Sequence, residues 1–105
     1  MNSKIQALKE MCSERNLNLV VKYYDNREVC FIGLNEVDDE VFNVSVWYTP
    51  KENKRIFYIE INSQFEEWRG GQFTKEELLL LISIDDLSDE ELNIKPRSNE
   101  VKTNE

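Results

Sequence analysis

Four consecutive runs of alternating residues, joined by very short connections, constrain this chain more than anything else in it. "LNLVVKYY" (17–24), "EVCFIGL" (28–34), "VFNVSVWY" (41–48) and "RIFYIEIN" (55–62) are rich in β-branched and aromatic residues, which suit a pleated, half-buried surface. Period-2 alternation assigns their faces. Leu17, Leu19, Val21 and Tyr23 share one face of the first run, and Phe42, Val44, Val46 and Tyr48 share one face of the third. The second run is apolar on both faces, with Gly33 as a candidate bulge position. "DNR", "NEVDDE" and "TPKENK" connect the runs. Connections this short cannot carry a crossover, so the strands form an antiparallel meander.

A four-stranded sheet with one apolar face needs a cover, and the flanking segments supply it. At the N-terminus Ile5, Leu8, Met11 and Cys12 fall at helical spacing behind Asn2 or Ser3, either of which can cap the free N–H groups of the first turn. Asn16 is a suitable stop, because asparagine tolerates the left-handed conformation. Beyond the sheet, Thr74 and Glu77 form a Thr-x-x-Glu capping box ahead of "KEELLLLIS". Ser88 and Glu91 form a second box, which opens a helical turn over "DEEL". The expected architecture is α+β in the order α-β-β-β-β-α. It is a single domain over residues 1–94, followed by a disordered polar tail over 95–105.

The longest aliphatic run, Leu78 to Ile82, is far shorter than the roughly 20 residues that cross a bilayer. The N-terminal stretch mixes charge with apolar residues, unlike a signal peptide. A cytoplasmic protein without membrane contact is expected, and Cys12 and Cys30 are read as small buried thiols.

Catalysis is poorly supplied. The 105 residues include no histidine, which removes the commonest general acid–base group and metal ligand. Walker, GxGxxG and GxSxG motifs are missing. "SIDDLSDEELNI" has neither the central glycine nor the terminal glutamate of an EF-hand loop. No catalytic residue, metal ligand or cofactor is assigned. Glu60 and Glu66 are in principle a carboxylate pair of the glycosidase kind, though 105 residues leave little room for a sugar cleft, and Asp85, Asp86 and Asp89 define the alternative of a metal-dependent hydrolase.

Charge carries the functional reading. The net charge is −8, and its distribution is uneven. Residues 35–49 carry −4 and residues 63–94 carry −7, while the remainder is slightly positive. Such a field repels nucleic-acid phosphates and attracts a basic protein. Carboxylates beside aromatics suit a protein interface, with the aromatic as anchor and the acids steering. The expected partner-binding residues are Glu36, Asp38, Asp39 and Glu40, then Phe65, Glu66, Glu67 and Trp68 in "FEEWRGGQF", then Asp85 and Asp86. In general character, though not in any residue motif, the chain is similar to the small acidic inhibitors that phages and mobile elements direct against host nucleases. The function expected is a non-catalytic module that neutralises a basic, nucleic-acid-handling partner, in effect a nucleic-acid mimic. The alternative is an immunity or antitoxin-like protein with one cognate toxin. Exposed strand edges leave monomer and homodimer both open.

Overall fold

Alternation and capping together produce the fold seen in a computed structural model, which describes residues 2–62 and 73–98. Helix α1 (Ser3–Glu14) leads into strands β1 (Asn18–Tyr24), β2 (Glu28–Leu34), β3 (Glu40–Tyr48) and β4 (Arg55–Ile61). Helix α2 (Lys75–Ile82), a 3-10 turn over Ser83–Asp86 and the short helix α3 (Asp89–Leu92) follow. The strands form one antiparallel sheet in the order β1-β2-β3-β4, so the expected α+β meander with helices at both ends is the architecture of the chain.

Local chemistry sets each boundary. The Asn2 side chain accepts from the N–H groups of Lys4 and Ile5 at 2.8 and 3.3 Å and caps α1. Asn16 ends it with φ 58°, where a short polar side chain is tolerated. Both capping boxes form: Thr74 with Glu77 at α2, and Ser88 with Glu91 at α3.

The helices and the 3-10 turn cover one face of the sheet. Leu8, Met11, Cys12, Leu81, Ile84, Leu87 and Leu92 meet Val29, Phe31, Phe42, Val44 and Val46 there. Fully burying one such leucine or phenylalanine stabilises the fold by roughly 1.5–3 kcal/mol. Central position explains why β2 is buried on both faces. Edge position explains why Val21 and Tyr23, expected on the covered face of β1, remain 39% and 46% exposed.

The structure adds detail in three places, and at the first it departs from strict alternation, which puts Val41 on the face opposite Phe42. The bulge near Gly33 takes its extra residue from β3: Gly33 pairs with Phe42 and Leu34 with Glu40, passing over Val41. Freed from alternation, Val41 turns inward beside Phe42, and both are buried. "SIDD" is a 3-10 turn held by Ile84 and Leu87, both buried. The polar tail begins with residues that are tied down, since the Lys95 N–H donates to the Asn26 carbonyl at 2.9 Å and the Arg97 N–H to Asn53 Oδ1 at 2.8 Å. Residues 99–105 lie outside the described residues. No helix among the described residues is long and apolar enough to cross a membrane.

Candidate protein-binding surface

The β2–β3 connection is a fastened loop. Asn35 is buried, and its Oδ1 accepts from the N–H groups of Val37 at 3.0 Å and Asp39 at 2.9 Å. Across the loop the Asn35 N–H donates to the Asp39 carbonyl and the Asp38 N–H to the Asn35 carbonyl, each at 3.0 Å. Asp38 takes φ 65° to close the turn, a conformation aspartate tolerates better than most residues. With the N–H groups of Asn35, Val37, Asp38 and Asp39 bonded within it, the loop leaves Glu36, Asp38 and Asp39 exposed, next to exposed Glu40 at the start of β3. Val37 stands among them, 69% exposed.

More carboxylates reach the same end of the molecule. Helix α1 finishes next to the start of β1, whose Asn18 pairs with Leu34 at the base of the loop. The first turn of α2 is drawn to the end of α1 by Arg15, which bonds both Glu77 oxygens, through Nε at 2.8 Å and an Nη at 2.6 Å. The same guanidinium lies 4.7 Å above the centre of the Phe73 ring. Glu77 accepts from the Thr74 N–H as well, at 2.7 Å. The Arg15 bond, reinforced by the cap, holds the Glu77 carboxyl below its ordinary range despite partial burial. Arg15 therefore neutralises one inward carboxylate and leaves Glu14 and Glu76, which form no ion pair among the described residues, exposed nearby. Between the helices runs a cleft of about 220 Å³ lined by Ala7, Met11 and Leu80 and edged by Glu10, Glu14, Glu76 and Glu77.

The expected acidic residues are only partly brought together. Asp85 and Asp86 sit at the opposite end of the sheet. Arg55, where β4 begins, donates there to the Asp85 carbonyl at 3.2 Å and the Leu87 carbonyl at 2.6 Å. Both aspartates are exposed because they fill the solvent positions of a turn whose Ile84 and Leu87 point inward. Asn53, in the turn that carries Lys51, Glu52 and Lys54, is tied to Arg97 at this end. The metal alternative loses its third carboxylate: Asp89 spends one oxygen on Arg55 at 2.8 Å and the other on the Tyr48 hydroxyl at 2.7 Å. Among the described residues no group of three or more cysteines or carboxylates is placed to hold a metal ion. Phe65, Glu66, Glu67 and Trp68 lie outside the described residues, and with Glu66 so does the proposed pair with Glu60.

No family model, characterised protein or solved structure matches this chain. Its surfaces must be read on their own chemistry. Sequence reasoning missed Asn35 as the fastener of the loop, and Val37 as an exposed apolar residue within it. It missed Glu10, Glu14 and Glu76 too, because only the docking of α2 on α1 adds them to the acidic end. Ala7, Glu10, Met11 and Glu14 do show the i, i+3, i+4, i+7 spacing of one helix flank, but nothing in the sequence says what faces that flank.

The second face of the sheet has no described element over it. Trp47 and Tyr58 pair there with ring centres 6.5 Å apart, and Tyr24 and Tyr58 are 49% and 45% exposed. Lys22 shares this face with Glu28 and Glu60, which denies it the basic groove of a single-stranded nucleic-acid platform.

Proposed function

We propose that this chain is a non-catalytic, acidic protein-binding module that occludes a basic, nucleic-acid-handling partner in the cytoplasm. The supporting observation is the β2–β3 loop: four exposed acidic residues on a backbone fastened by buried Asn35, with Val37 exposed among them. A preorganised loop loses little conformational entropy on binding. Its carboxylates steer a cationic surface inward, and an apolar residue among them supplies the dehydrated contact that charge alone does not. Closely spaced carboxylates on one fastened backbone resemble a phosphate backbone in charge, which is why a nucleic-acid groove is the target proposed.

Affinity capture from cell extract, at low and at high salt, tests this reading. The wild-type chain should retain a basic nucleic-acid-binding protein at low salt and release it at high salt, with added DNA competing. The variant Glu36→Lys/Asp38→Lys/Asp39→Lys/Glu40→Lys should fold normally by circular dichroism and retain nothing. Equal capture by both chains, or no basic protein in either, defeats the reading. Capture of a single protein that resists high salt would favour the immunity-like alternative.

A further inference from the structure

We infer that the cleft between α1 and α2 is the docking slot for a short amphipathic helix of the partner, one that bears an apolar stripe flanked by lysine or arginine. This deepens the reading above and rests on it. The floor of the cleft is apolar: Ala7 and Leu80 are half-buried, with Met11 buried beneath them. Its rim is anionic on both sides, with Glu10 and Glu14 on α1 and Glu76 on α2, all exposed. Glu77, the remaining carboxylate, is already bound to Arg15. Helical phase puts Lys9 and Lys75 on the far flanks of their helices, away from the cleft. An apolar trough walled on two sides by carboxylates that form no ion pair among the described residues therefore matches one chemistry, an apolar ridge with cations along both shoulders.

A helix fits better than an extended peptide. The trough lies between two helices, where the ridge of a third packs as in any helical layer, and it offers no strand edge to extend. From Ala7 to Glu14 it runs about 10 Å along the α1 axis at 1.5 Å per residue, which is two turns of a docked helix. The Glu14 and Glu76 end of the cleft lies toward the same end of the sheet as the β2–β3 loop.

The probe is a synthetic leucine–lysine peptide patterned as an amphipathic helix. Its control has the same composition, rearranged so that no helical face is apolar. Both are titrated into the full chain and followed by amide chemical shifts. The amphipathic peptide should move the signals of Ala7, Met11 and Leu80 and bind about tenfold more tightly than the control. Glu14→Gln/Glu76→Gln, which alters only exposed side chains, should weaken binding and flatten its salt dependence. Equal binding of the two peptides overturns the slot. So do shifts confined to Glu36–Glu40, an outcome that leaves the anionic-surface reading standing. Movement of the same cleft signals on concentrating the chain without peptide would make a second copy the occupant and overturns it as well. Failure of the capture experiment with the peptide result intact would remove the nucleic-acid-handling partner and leave the slot.

Discussion

A methyl group at Gly33 would fall against the Phe42 ring, 2.7 Å from Cδ2 and 2.8 Å from Cζ. That is closer than two carbon atoms can pack, and Phe42 is almost wholly buried, so the ring has little room to yield. Alanine in a strand normally gains up to about 1 kcal/mol over glycine. Here overpacking outweighs that gain, and Gly33→Ala should destabilise the protein by about 1–3 kcal/mol. In a Phe42→Leu background the cost should shrink, which a double-mutant cycle in urea would show; equal cost in both backgrounds would place the clash elsewhere. Cysteine offers a second test at this scale. Burial pushes the Cys12 thiol up to about 12 and raises that of Cys30 too, an effect its Ser45 bond only offsets. Neither is an available thiolate at neutral pH. Labelling by a thiol reagent should therefore be slow in the native protein and rapid in denaturant, and fast native labelling would contradict the burial.

At the scale of elements, Glu77 both completes the cap of α2 and joins that helix to α1. Its carboxyl titrates below the ordinary 4.5, chiefly because of the Arg15 hydrogen bond. A depressed carboxylate contributes fully above its unfolded pKa and loses that contribution as pH falls through the folded value. Glutamine preserves the capping geometry but not the ion pair. Glu77→Gln should thus cost roughly 1–2 kcal/mol at neutral pH. The gap from wild type should narrow as the pH drops below the ordinary carboxylate value, as urea unfolding across that range would show. A gap independent of pH would mean the pair contributes nothing. Most of the elements were legible in advance: two capping boxes, alternation and Asn16 require only neighbouring residues. The inward turn of Val41 and the 3-10 turn were not, since each depends on which distant residues offer a hydrophobic contact.

Over the whole molecule, the carboxylates expected to act together separate toward two ends of the sheet. The β2–β3 loop lies at the end where α1 finishes and α2 begins. Asp85 and Asp86 lie at the other, beside Arg55 and the turn that holds Lys51 and Lys54. Steering depends on the summed field around the contact and decays within about 8 Å in physiological salt. Reversal of the loop acids should therefore slow association with a basic partner about tenfold or more at low salt. Asp85→Lys/Asp86→Lys should have much less effect in stopped-flow measurements. Comparable slowing by the two variants would show that net charge, and not the loop, governs encounter.

Taken alone, the amino-acid sequence determined the α+β meander, the helix starts and stops, and the acidic excess, because these follow from residues close along the chain. Only the tertiary structure decided which acids are neighbours. It set Glu14 and Glu76 at the same end as the β2–β3 loop, sent Asp85 and Asp86 to the far end, and spent Asp89 on Arg55 and Tyr48. Charge acts through space, so its meaning rests on how helices dock and not on their order.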